Sequence, residues 1–300
     1  MPMNVAAIDI GTNSVRLLIT DQQGAELERH MQITRLGQAV DVSGRLHPDA
    51  IARTVHVLSE YGALLRQHNV QRVRAAATSA ARDAANSDEF FDAAERALGA
   101  RPELLSGEEE ALLSFRGATF GLDAAQGPFL VVDIGGGSSE FVLGSAAPEA
   151  LISVPMGCVR MTERHLKSDP PSSEQLAACV ADIRGLLAEV QRALPLDRAR
   201  CMIGLAGTIT TLASLQLGLR HYDPRRTHHS RLGRDQVEHL FERLRAVDVA
   251  TRRTLLAEPK RAEVIVGGVA ILVTVLREFD LRELMVSESD ILDGLAASLR

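Results

Sequence analysis

The stretch VAAIDIG at residues 5–11 returns in outline as VVDIGGG at residues 131–137. Each is an apolar run that ends in aspartate, meets glycine, and is followed by a second short apolar segment, VRLLIT in one case and SEFVLG in the other. That is the signature of a buried strand turning tightly into its neighbour. A chain that begins two such hairpins, with the same residues at the strand end, is constrained to two similar α/β halves with a cleft between them.

The intervening pattern agrees. Residues 1–120 read β-β-β-α-β-α-β-α: three strands, a helix from Pro48 with apolar residues at 51, 55, 58 and 65, and a strand at VQRVRAAAT. A helix capped by Asn86-Ser87, a short strand near PELL and a third helix complete the half. After the loop Gly121–Pro128, three strands restart the pattern. A helix beginning in DPPSSEQL, a strand at RCMIGLAG and further helices follow. The expected domains are residues 1–124 and 125–300, with the last helix free to pack back on the first domain.

At 300 residues and 46% apolar content the chain can bury two cores. It contains no run of about 18 apolar residues, and MPMNVAAIDI lacks the parts of a signal peptide, so no membrane partner and a cytoplasmic location are expected. Cys158, Cys179 and Cys201 form no paired motif and read as plain thiols. A formal net charge of −6 argues against nucleic acid as a partner.

Glycine lets backbone N–H groups approach an anion with no Cβ in the way. Gly135, Gly136, Gly137, Ser138 and Ser139 could therefore cradle a phosphate, as could Gly11, Thr12, Asn13 and Ser14. One such loop is as readily a plain turn; two, each behind an aspartate, favour the cradle. Asp9, Asp133 and Glu140 are the oxygen ligands beside these loops, and Mg²⁺, which keeps several waters, needs only one or two of them. In SGEEEAL, Ser106 and Glu109 form a capping box that accounts for the first acidic residues of a helix. Glu110 is left over, on a different face, as a candidate general base for water. GLAGTITTLASL is a third glycine-containing strand-to-helix junction, offering Gly207 and Thr208, the latter as N-cap. Arg225, Arg226, His228, His229, Arg231, Lys260 and Arg261 form a possible basic track for a polyanion; the two histidines are unsuited to a shared metal.

DIGTNSVRLLI, TSAARDAANS, SGEEEAL, VVDIGGGSSEF, GCVRMTE, GLAGTITTLASL and KRAEVIVGG, in this order, resemble the exopolyphosphatase and guanosine pentaphosphate phosphohydrolase (Ppx/GppA) family over nearly the whole chain. The resemblance implies two ribonuclease-H-like domains of the actin-like ATPase superfamily. It also implies an active site in the interdomain cleft, Mg²⁺ (or Mn²⁺) dependence, and a homodimer. It places Glu110 on the family's catalytic glutamate, Glu140 on a second essential acid and Asp133 on a metal-associated aspartate. Asp9, Gly11, Thr12, Asn13, Ser14 and Arg16 fall on the first phosphate loop, and Arg82 and Arg261 on basic positions facing the cleft. In SESDILDG, Leu292 stands where relatives often carry arginine. The expected activity is release of terminal orthophosphate from inorganic polyphosphate. The alternatives are hydrolysis of guanosine pentaphosphate (pppGpp), a sugar or acid kinase, an assembling ATPase, and a polyphosphate or alarmone sensor without catalysis.

Overall fold

A computed structural model describes residues 3–300. In chain order the elements are β1 (Asn4–Ile10), β2 (Ser14–Thr20), β3 (Glu26–Ile33), α1 (Val40–Ser43), α2 (Pro48–Gln67), β4 (Val70–Ala77), α3 (Ser79–Arg82), α4 (Ser87–Leu98), β5 (Glu103–Leu104) and α5 (Gly107–Thr119). Then come β6 (Phe129–Ile134), β7 (Ser139–Gly144), β8 (Pro148–Val154), α6 (Cys158–His165), α7 (Ser173–Ala193), β9 (Cys201–Leu205), α8 (Ala206–Gln216), α9 (Pro224–Thr227) and β10 (Arg231–Gly233). The last are α10 (Arg234–Arg245), α11 (Val249–Leu255), α12 (Ile265–Glu278), β11 (Glu283–Val286) and α13 (Ile291–Ala297). Contacts divide the chain into one unit of residues 1–117 with 291–300 and another of residues 118–290. The first division falls inside α5, whereas the sequence expectation placed it in the loop at 124/125.

The first unit holds a five-stranded sheet in the order β3-β2-β1-β4-β5. Strands β1, β2 and β3 form an antiparallel meander, and β4 and β5 continue it in parallel with β1. The second unit's sheet runs β10-β11-β9-β6-β7-β8. Here β6, β7 and β8 form the meander, and β9 and β11 run parallel to β6, with β10 antiparallel at the edge. Apart from that edge strand, the two sheets share one strand order and one set of directions, as the repeated hairpin requires.

Each sheet buries its apolar side chains against helices. In the first unit Ile8, Ile10, Leu17 and Ile19 pack with Leu58, Tyr61 and Phe90 from α2 and α4. The other face carries a smaller cluster of Ala7, Leu18, Ala76, Leu105 and Leu113, closed by Ile291, Leu292 and Leu295 of α13. In the second unit Leu130, Val132 and Phe141 meet α7 and the almost wholly buried α12. No helix among the described residues is long and apolar enough to cross a membrane.

Several expectations are corrected. The segment GCVRMTERH forms a helix, α6, where none was expected, and the short strands β10 and β11 and the single-turn helices α1 and α3 were not foreseen. Asn86 stands at the start of α4, but its side chain does not cap it. The amide instead grips Leu46 through both its N–H and its C=O.

Candidate active site

In open α/β sheets the loops at the carboxyl ends of parallel strands are where ligands bind, because those strand ends feed exposed, adaptable connections. The first unit puts three sets of candidates there. Asp9 and the loop Gly11–Ser14 follow β1, Arg82 closes the turn after β4, and Glu110 stands in the first turn of α5, after β5.

Asp9 lies directly across the β1–β2 ladder from Arg16. Its Oδ2 accepts from Nε and Nη2 of that arginine at 3.0 and 2.7 Å, so the carboxylate expected beside a metal carries its own cation. Thr12 and Asn13 are buried, and their carbonyls are engaged. Gly37 donates to Thr12, and Thr34 and Arg35 both donate to Asn13. The Nδ2 of Asn13, by contrast, is buried without a hydrogen-bond partner among the described residues. A buried amide donor left unmatched costs free energy and favours an acceptor arriving from outside.

The three consecutive glutamates separate as their positions on the helix dictate. Glu109 closes the capping box, accepting from the N–H and hydroxyl of Ser106 at 2.9 Å each, and Ser106 Oγ accepts from the Glu109 N–H. Those two bonds, the backbone one first, hold the Glu109 carboxyl below its ordinary 4.5. Glu110 turns inward and is only 9% exposed. Its Oε2 lies 3.4 Å from Nη1 of Arg82, which also donates to the Leu105 carbonyl at 2.7 Å. The arginine is thus fixed by the backbone and fixes the carboxylate in turn.

In the second unit Asp133 lies across the β6–β7 ladder from Glu140, at the register that Asp9 and Arg16 occupy in the first. Residues directly opposite in an antiparallel pair project from the same face, so two carboxylates stand side by side, 7% and 1% exposed. Ser153 donates to Glu140 Oε1 at 2.7 Å. Among the described residues no three His, Cys, Asp or Glu side chains cluster to hold a metal. A pair of buried carboxylates without a third ligand fits a hard cation that keeps most of its water, and does not fit a closed cage of zinc type.

The loop Gly135–Ser139 connects these acids. Ser139 donates its hydroxyl to the Met156 carbonyl, so that side chain braces the loop. The junction after β9 departs from expectation. Helix α8 begins at Ala206, with Leu205 at the cap position, and Ala206 takes a left-handed φ of 67°. Thr208 is therefore not the N-cap. Its hydroxyl packs over Gly268, inside the contact with α12. The guanidinium of Arg261 lies against Gly207, where a Cβ would come within 1.7 Å of Nη1. Glycine at 207 is what admits that arginine. Burial pushes the neighbouring Cys158 thiol up, against the pull of Arg261 and a hydrogen bond with Thr208. Of the basic track, His228 and His229 stack on each other at 3.7 Å, and His228 Nδ1 accepts from the Glu288 N–H.

Sequence reasoning assigned no role to Ser153, Gly157 or Arg160, all of which touch the acidic hairpin or its loop. The last two lie in GCVRMTE, which was the available signal. Leu292, at the position that departs from the family pattern, is 1% exposed in the core of the first unit.

Comparison with known proteins gives a consistent result. The model of the Ppx/GppA phosphatase family matches residues 18–299. Exopolyphosphatase 2 of Mycobacterium tuberculosis is 45% identical over 313 residues, covering 98% of each chain. The crystal structure of an exopolyphosphatase-like protein superposes with a TM-score of 0.96 at 36% identity, over 99% of this chain and 98% of that one. The Aquifex aeolicus member of the Ppx/GppA family superposes at 0.82 with 34% identity, over 100% and 98%.

Proposed function

This chain belongs to the Ppx/GppA phosphatase family, and on that premise we propose that it is an exopolyphosphatase, a phosphoric anhydride hydrolase that releases orthophosphate from the end of inorganic polyphosphate. The observation that carries this reading is the 45% identity to Exopolyphosphatase 2 across 98% of both chains. The arrangement of buried acids and glycine loops supports it.

In this reading Glu110 accepts a proton from water as the water oxygen attacks the terminal phosphorus. The bond from that phosphorus to the bridging oxygen breaks, leaving orthophosphate and a chain shorter by one phosphate. Arg82, fixed by the Leu105 carbonyl, aims Glu110. Backbone N–H groups of Gly135–Ser139 and Gly11–Ser14, with the amide of Asn13, bind the phosphoryl oxygens. Arg261 offsets the charge of the departing phosphate, and Gly207 with the first turn of α8 supplies further donors. Asp133 and Glu140 are the residues that would hold Mg²⁺ or Mn²⁺, whose chemistry is to neutralise phosphate charge. Asp9, a metal candidate by sequence, is already paired with Arg16.

The test is phosphate release from short and long polyphosphate, pppGpp and ATP with Mg²⁺, beside the Glu110→Ala protein. Polyphosphate turnover that falls about a thousandfold in the variant, with native circular dichroism, is expected. Release from pppGpp alone would move the protein to alarmone turnover, and undiminished turnover in a folded variant would remove Glu110 as the base.

A further inference from the structure

We infer that GCVRMTE, residues 157–163, sets the direction in which the Gly135–Ser139 loop presents its N–H groups, with Arg160 as the positioning residue. This inference rests on the phosphate-cradle reading above and adds a component to it.

The carbonyls of Gly135, Gly136 and Gly137 are all held by residues at the start of α6. Cys158 N–H donates to the Gly135 carbonyl at 2.9 Å. Val159 and Arg160 N–H donate to the Gly136 carbonyl at 2.9 and 3.2 Å. Arg160 Nε donates to the Gly137 carbonyl at 2.7 Å. In a trans peptide the C=O of one residue and the N–H of the next point in opposite directions. Fixing the carbonyls of 135, 136 and 137 toward α6 therefore aims the N–H groups of 136, 137 and 138 the other way. Three glycines in succession would otherwise let any of these peptides flip and offer an oxygen to the phosphate.

The approach is close enough to require glycine at the start of α6 as well. A Cβ at position 157 would stand 2.2 Å from the Gly136 oxygen and 2.4 Å from the Gly137 nitrogen. Arg160 differs from the other donors because its bond is charge-assisted. It draws the negative end of the Gly137 peptide toward itself and away from any incoming anion.

The first unit supplies an independent parallel. There the equivalent loop has side chains at Thr12 and Asn13 and needs no outside arginine, since backbone N–H groups of Gly37, Thr34 and Arg35 hold the carbonyls of Thr12 and Asn13. Both loops have carbonyls tied back, and in the glycine-rich loop one of the ties is a charged side chain.

The experiment compares Arg160→Ala, Arg160→Lys and Gly157→Ala with the parent protein. Arg160→Ala should lower kcat on long-chain polyphosphate by about ten- to a hundredfold and change KM by less than about threefold, because the other phosphates of the polymer do not depend on this loop. Arg160→Lys, which can return one charged donor to the Gly137 carbonyl, should recover at least about threefold of that loss. Gly157→Ala alters no charge and should show the same split. A kcat within about twofold of the parent in folded Arg160→Ala would overturn the inference. So would losses that track only the fraction of folded protein in thermal melts. Calorimetric titration with inorganic phosphate separates this from the proposed activity. A parent inactive on every polyphosphate, yet binding phosphate about tenfold more tightly than Arg160→Ala, would discard the activity and keep the positioning role.

Discussion

The two hairpins β1–β2 and β6–β7 are built alike and charged differently. In both, an aspartate at the strand end faces a charged residue across the ladder; in the first that residue is Arg16 and in the second it is Glu140. The first hairpin is electrically complete, with a salt bridge of 2.7 Å. The second places like charges opposite each other in a buried setting, which destabilises a hairpin unless a cation joins them. One scaffold thus carries an opposite-charge pair across the ladder in one hairpin and a like-charge pair in the other.

Substituting the two aspartates is the sharpest way to break that contrast. Asp133→Asn should cut turnover roughly a thousandfold, and Mg²⁺ should raise the melting temperature of the parent and not that of this variant. Asp9→Asn leaves Arg16 half-buried without its anion and should cost about 2 kcal/mol, by the same amount with Mg²⁺ or with chelator. Equal Mg²⁺ dependence of the two variants in calorimetric melts would show that the hairpins do not differ as their charges imply. Gly207→Ala comes next in size. It displaces the Arg261 guanidinium while leaving both hairpins intact, and about a tenfold fall in kcat with an unchanged Mg²⁺ response is the expected kinetic result.

The smallest effect belongs to the capping box beside Glu110. Glu109 has its folded value held below 4.5, so its contribution is fully present above about pH 4.5 and is lost as pH falls through the folded value. Ser106→Ala should cost about 1 kcal/mol at neutral pH and flatten the acid limb of a stability curve below pH 4.5, with turnover almost unchanged. A large loss of turnover instead would mean that the cap, and not Arg82 alone, aims Glu110.

What could be read from the sequence was whatever one stretch of chain decides by itself. The paired strand ends, the glycine loops and the division of labour between Glu109 and Glu110 follow from spacing along a strand or a helical turn. Helix α6 could not be read that way. Gly157 offers no side-chain cap, and the first N–H groups of α6 find acceptors only in a loop about twenty residues earlier. The start of α8 was misplaced for a similar reason, since Ala206 adopts a left-handed conformation and Thr208 is drawn into the packing of α12. Asn86 looked like a cap and became a clamp on Leu46, a partner that no local pattern announces. Strands β10 and β11, of three and four residues, are too short to display an alternation.

Helix α13 carries a consequence for how the molecule is made. Residues 118–290 form a unit continuous in sequence, whereas the first unit needs residues 291–300 to be whole. Its closing contacts are Leu292 and Leu295 against Ala7 and Leu18, the Arg29–Asp293 ion pair, and the bond from Arg74 to Ser298. β1 and β2 are made long before α13, so one face of their sheet stays partly uncovered until that helix arrives. The first unit is therefore completed only after the whole of residues 118–290 has been made, and until then the Ala7–Leu18 face of its sheet is exposed apolar surface.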